Sequence, residues 1–141
     1  MVPGLQLNDN KRIIAGWGYI NDKHADTEIL LKALINEQPH SECEKHLHRK
    51  DFKWDRSTMF CASGAGFKRT PDSCEGDSGG PIMAEMSVKP YVYVVLGIVS
   101  WGPRCGVGLP GAYTNVSYLP YQEWIVSIVW PRQLKKKIGL L

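Results

Sequence analysis

The stretch Asp72-Ser73-Cys74-Glu75-Gly76-Asp77-Ser78-Gly79-Gly80-Pro81 decides how this 141-residue sequence is read. Ser78 lies in a tight glycine-rich turn, where its own amide and that of Gly76 can point the same way. A hydroxyl beside two convergent backbone donors provides what acyl transfer needs: a nucleophile, and stabilisation for the oxyanion it creates. Gly79 and Gly80 remove side chains that would obstruct a substrate carbonyl. A bare Gly-x-Ser-x-Gly also describes a surface turn with an incidental serine, so the flanking sequence has to choose between the two.

Those flanks read as short strands separated by turns. Arg12 to Gly18 is a brief apolar run ended by glycine, a strand. Residues 1–11 are polar and rich in turn formers and read as a linker. Thr27 to Ile35 is ambiguous: its residues are mostly helix formers, and periodicity alone does not settle its state. After Pro39, Ser41-Glu42-Cys43-Glu44 fits a capping box and predicts a short helix to about Arg49. Residues 61–81 hold glycines, Pro71 and charges and are irregular. Tyr91 to Ser100 is β-branched and aromatic, the best strand in the chain. Tyr121, Trp124, Ile125, Ile128 and Val129 recur on one helical face, bounded by Pro120 and Pro131. Many short strands and one terminal helix point to a small β-barrel.

Composition narrows the class. The chain is 43% hydrophobic and 22% charged, as in a folded globular protein, with room for one domain. Its net charge of +3 is concentrated in Lys135-Lys136-Lys137, part of a basic tail over 132–141. No basic stripe with interleaved aromatics is present, which argues against nucleic acid. No apolar run is long enough to span a bilayer as a helix, so no membrane is expected. Met1 to Asn8 has neither the basic start nor the apolar stretch of a signal peptide. The four cysteines allow two disulfides, which need an oxidising compartment. Either the thiols are reduced in a cytosolic protein, or a secretory leader lies upstream.

Gly76-Asp77-Ser78-Gly79-Gly80-Pro81 resembles the nucleophile motif of the chymotrypsin-family, trypsin-like serine proteases. Ala15-Gly16-Trp17-Gly18, Met59-Phe60-Cys61-Ala62, Gly97 to Gly102 and Pro110-Gly111-Ala112-Tyr113-Thr114 follow the same family in the right order. The resemblance runs from about Arg12 to Trp130 and gives 12–131 as the C-terminal half of a peptidase domain. It implies an all-β fold: the second, six-stranded antiparallel Greek-key barrel plus a C-terminal α-helix, with Thr27 to Ile35 a strand. It also implies a secreted parent protein.

The roles follow residue by residue. Ser78 matches the nucleophile, and Gly76 with the Ser78 amide the oxyanion hole. Asp77 matches the aspartate that pairs with a new N-terminal amine after activation. Asp72 matches the base of the primary specificity pocket, where a buried carboxylate favours Lys or Arg. Ser73 lies beside it. Gly102 and Gly111 match pocket walls that leave room for a long side chain. Ser100-Trp101-Gly102 matches the segment that pairs with substrate backbone. The implied disulfides are Cys43–Cys61 and Cys74–Cys105. No cofactor is implied, and the partners are a Lys- or Arg-containing protein or peptide substrate, the N-terminal barrel of the same protease and protease inhibitors.

Departures from the family pattern are informative. Arg12 and Ala84 stand together where many relatives carry a cysteine pair. Arg104 stands where trypsin has glycine and places a cation at the pocket mouth. Pro110 argues against a sodium site. His40, Cys43, His46 and His48 have the spacing of a zinc site, but Cys43 has a disulfide partner by resemblance, so no metal is expected. Asn115-Val116-Ser117 is a glycosylation sequon at a strand end.

The family's histidine base and orienting aspartate come from its first barrel, in a motif that does not occur here. His24, His40, His46 and His48 align to loops and helix away from Ser78, and Asp77 has no activation amine in the sequence to hold it. Two readings follow: a piece of a longer serine endopeptidase, inactive by itself, or a non-catalytic binding or decoy module derived from one. Intact Ser78, Asp77 and Asp72 favour the first.

Overall fold

The computed structural model describes residues 10–20, 27–48, 53–66, 70–86 and 92–131. Most of the linker over 1–11, the tail over 132–141, and His24 lie outside these residues. The described residues form β1 (Lys11–Gly16), β2 (Leu31–Glu37), α1 (His40–His46), β3 (Met59–Ser63), β4 (Pro81–Glu85), β5 (Tyr93–Trp101), β6 (Gly111–Asn115) and α2 (Leu119–Val129).

The strands close into an antiparallel barrel in the order β1-β2-β3-β6-β5-β4, with β4 returning to β1. Closure removes the sheet edge that a six-stranded open sheet would expose. Inside, Ile14, Ile35, Phe60, Ala62, Ile82 and Tyr113 form one buried cluster, and Phe60 stacks on Tyr113 with ring centroids 5.6 Å apart. β1, β2, β3, β4 and β6 supply these residues, Phe60 and Ala62 from alternate positions of β3, and Leu96 and Val99 of β5 pack against them. A second cluster (Cys43, Leu47, Met59, Cys61 and Ala112) joins α1 to β3 and β6, with Trp54 and Trp101 against it.

The ambiguous segment resolves as strand, but later than expected. β2 begins at Leu31 and all six residues of β1 pair with it, from Lys11↔Asn36 to Gly16↔Leu31. That ladder outweighs helix propensity, which is a fraction of a kcal/mol per residue. The capping box does not form. Pro39 is the N-cap, its carbonyl accepting from the Glu42 and Cys43 amides, and no side chain caps the helix. The helix therefore starts at His40, one residue before Ser41, and Glu44 makes a two-pronged pair with Arg56 (2.9 and 3.1 Å). Residue 91 is outside the described set, and β5 runs on to Trp101.

Two details of the barrel bear on chemistry. The β5–β6 register passes from Val99↔Tyr113 to Trp101↔Ala112, leaving Ser100 as the extra residue of a bulge. Such a bulge re-aims the strand's side chains at that point. β1 pairs Ile13 with Met83 and Ile14 with Ile82, and the same register carried one step further sets Arg12 opposite Ala84. Arg12 is buried and its Nε donates to Glu37 Oε2 at 3.0 Å. A buried cation paired with Glu37 therefore occupies the position opposite Ala84.

α2 has Pro120 in its first turn, yet none of its residues is buried. Trp124 and Ile128 are both 66% exposed. The apolar face that the sequence marks on this helix is real, but no described part of the chain covers it. No helix among the described residues is long and apolar enough to cross a membrane.

Candidate active site

The nucleophile turn is built from its glycines. Gly76 has φ +94° and Gly79 φ +82°, both in the left-handed region where a side chain is strained. Within the turn the Asp77 amide donates to the Cys74 carbonyl (3.0 Å) and the Gly80 amide to the Asp77 carbonyl (2.9 Å). Gly79 donates to the Val99 carbonyl and Val99 donates back to the Gly80 carbonyl, at 3.0 and 2.9 Å. The turn is thereby stitched to β5 immediately before the Ser100 bulge. Among the described residues, the Gly76 and Ser78 amides have no protein acceptor. Ser78 itself is exposed.

Asp77 holds the turn from beneath. Its Oδ1 accepts from the Gly18 amide and its Oδ2 from the Cys74 amide, each at 2.9 Å. Both carboxylate oxygens are therefore engaged by backbone. A Cβ on Gly16 would lie 2.0 Å from Asp77 Oδ1, and one on Gly18 within 2.5 Å of the carboxylate. The two glycines of Ala15-Gly16-Trp17-Gly18 are the cradle for this side chain.

A cavity of 390 Å³ opens beside Ser78, with Asp72, Ser73, Trp101, Gly102 and Gly111 among its lining residues. The Cys74–Cys105 bridge, Cα atoms 5.5 Å apart, fastens its two sides together, and a second bridge joins Cys43 to Cys61. A Cβ on Gly102 would stand 3.3 Å from the Gly111 Cα, so the opposing walls come close at Gly102, whereas a Cβ on Gly111 would make only ordinary contacts, at 3.7 Å and beyond. Asp72 is half-buried, and its Oδ2 accepts from the Gly106 amide at 3.0 Å. Burial pushes its carboxyl up to about 6, against which the Gly106 and Ser73 amides pull only partly.

Ser73 Oγ meets the Tyr113 hydroxyl at 3.1 Å. Tyr113 is fully buried, and desolvation pushes its phenol well above the ordinary range, so it stays neutral. Pro110-Gly111-Ala112-Tyr113-Thr114 by itself assigns Tyr113 no role. The signal was available: Tyr113 is two residues past Gly111 on β6, hence on the same face. Tyr19, Glu75, Val99 and Pro103 also line the cavity without having been singled out, and Arg104 lies on it as expected of a residue next to Cys105.

No histidine lines the cavity among the described residues. His40 and His46 are on α1, where His46 Nε2 lies 3.3 Å from Glu42. Cys43 is oxidised, so it offers no thiolate to a metal, and the described residues contain no group of three metal-ligating side chains. Asn115 uses its amide group locally: Nδ2 donates to the Ser57 carbonyl (3.1 Å) and Oδ1 accepts from Ser117 N–H (3.0 Å).

Comparison with known proteins agrees with this architecture. The family model described as Trypsin matches residues 5–125. The chain is 33% identical over 128 residues to serine protease Hayan of Drosophila melanogaster, covering 86% of this chain and 20% of that protein. It is 37% identical over 115 residues to glucanase inhibitor protein 3 of Phytophthora infestans (82% of this chain, 41% of the relative). It is 40% identical over 118 residues to CLIP domain-containing serine protease B4 of Anopheles gambiae (82% and 30%). The chain thus spans less than half the length of each of these relatives. A closed antiparallel barrel with a C-terminal helix, a glycine-built serine turn and a family match over most of the sequence lead to one conclusion: this chain belongs to the trypsin-like family of serine proteases.

Proposed function

We propose that the chain supplies the nucleophile and the specificity pocket of a secreted serine endopeptidase that cleaves after Lys or Arg. One observation carries this reading: a single cavity has an exposed serine and a half-buried, unneutralised carboxylate on its lining. Ser78 Oγ would attack the scissile carbonyl, and the Gly76 and Ser78 amides would receive the oxyanion. Asp72 would receive the ammonium or guanidinium of the substrate, with Ser73 and Tyr113 providing a neutral polar wall. Ser100 to Gly102 would pair with the peptide backbone. The two disulfides support an oxidising, extracellular setting.

A triad also needs a histidine to take the Ser78 proton and an aspartate to orient it. Both would come from sequence outside these residues, in a first barrel seated on the exposed apolar surface. Trp17, Ile29, Leu34 and the outer face of α2 supply such a surface. The test is to bind a small aromatic amidine to the chain and to Asp72→Ser. Amidine binding that survives Asp72→Ser, or none at all in the parent, overturns the pocket assignment.

A second reading rests on no histidine lining the cavity among the described residues: the chain is a non-catalytic binding module. Its relative in Phytophthora infestans is called a glucanase inhibitor. Labelling by a serine-directed fluorophosphonate, once the first barrel is supplied, separates the two. Labelling at Ser78 supports the peptidase and its absence supports the module.

A further inference from the structure

Arg104 stands at the cavity that Ser78 and Asp72 share. It is exposed, it lines the same cavity as Asp72, and the backbone that follows it is held in place. The next residue, Cys105, is bridged to Cys74, and the one after, Gly106, donates to Asp72 at 3.0 Å. Gly106 also accepts from the Thr70 amide, and Gly108 donates to Thr70 Oγ1 at 3.0 Å. The backbone that follows Arg104 is therefore tied to the Asp72 side of the cavity by a hydrogen bond and a disulfide.

A cation in that place has an energetic consequence. A Lys or Arg side chain entering towards Asp72 must pass another positive charge, which opposes entry. A ligand that carries its own carboxylate next to its cation reverses the sign of that encounter. Guanidinium offers five N–H donors in a planar fork that fits a carboxylate in two-pronged fashion, so it can take one in addition to an intramolecular contact. Glu75 lines the cavity as well. Ser100 to Gly102 runs straight into Pro103 and Arg104, so the ligand residue lying along that segment is the one within reach.

We propose that this site is specific for peptides in which an acidic residue adjoins the basic anchor, the base going to Asp72 and the acid to Arg104. The proposal rests on the pocket reading given under Proposed function and adds the partner's second charge to it.

The test uses the full 141-residue chain and displacement of a fluorescent aromatic amidine. Competing peptides carry one Arg, with Asp on either its N-terminal or C-terminal side, and matched controls carry Asn instead. One Asp arrangement is expected to bind about three- to tenfold tighter than its Asn control at low salt, less so at high salt. In Arg104→Gln that ratio falls to about one. Equal affinity of all Asp and Asn peptides, or a preference that survives Arg104→Gln, overturns the proposal while amidine binding leaves the pocket reading standing. Failure of the amidine itself to bind overturns both.

Discussion

The Gly18 amide donates to Asp77 Oδ1 across 59 residues of sequence, at 2.9 Å. With the Cys74 amide on Oδ2, this pair supports the serine turn through backbone alone. From the sequence alone, Asp77 is expected to lack the terminal amine that would hold it. The carboxylate instead finds two amides within the chain, because the loop after β1 passes directly under the turn.

Removing that carboxylate strands two donors. Asp77→Ala is expected to cost about 2–4 kcal/mol, since each amide then loses a charge-assisted partner. Gly16→Ala is expected to be similarly damaging, because its Cβ would overlap Asp77 Oδ1. Urea denaturation of both variants measures this, and a loss below about 0.5 kcal/mol for either one would show that the turn does not depend on the contact.

Asp72 makes ligand binding depend on pH. Its carboxyl is raised to about 6 by burial, so below that pH it is protonated and cannot attract a cation. Amidine affinity should rise from about pH 5 to about pH 7 and be flat and weak in Asp72→Asn. The sign for stability is opposite. The folded chain holds this proton more tightly than the unfolded one, so stability falls as pH rises from about 4 through about 6. Asp72→Asn should therefore be the more stable protein at neutral pH, by about 1–2 kcal/mol after solvent screening of a partly accessible group. Thermal melts of both proteins at acid and neutral pH provide the check.

The Arg12 and Ala84 positions should accept a disulfide. The β1–β4 register sets them opposite one another and both are buried. Arg12→Cys with Ala84→Cys is expected to oxidise spontaneously and to close a loop of about 70 residues, a gain of about 4 kcal/mol in the chain-entropy account. Loss of the Arg12–Glu37 pair, whose carboxylate is partly exposed, takes back about 1 kcal/mol. A non-reducing peptide map and urea melts with and without reductant test the expectation. Free thiols in the folded double variant would contradict the register.

The chain as written should resist a serine-directed fluorophosphonate. With no histidine lining the cavity among the described residues, Ser78 keeps its proton at neutral pH and is a weak nucleophile. Background reaction of about the rate of free serine is expected, unchanged in Ser78→Ala. Labelling that is specific to Ser78 would mean that a base is already present.

Much of this protein is legible in its sequence because the informative features are local. The glycines at 76, 79 and 80 permit one backbone path around Ser78, and that path needs no distant residue to be recognised. The β-branched run into Trp101 and the proline-bounded terminal helix are likewise set by their own residue types. Other features needed the tertiary structure, because they join residues far apart in sequence. Ser73 meets Tyr113 across 40 residues and Asp72 meets the Gly106 amide across 34, contacts that exist only when the barrel register brings β6 and the loop before it behind the pocket. Arg12 finds Glu37 for the same reason, the β1–β2 ladder setting their separation. Even the start of α1 was settled this way: Ser41 and Glu44 carry the letters of a capping box, but Arg56, 12 residues further along, takes the carboxylate and Pro39 begins the helix. Backbone stereochemistry is written residue by residue, whereas the partner of a charge is chosen by which chain segments the closed barrel leaves beside it.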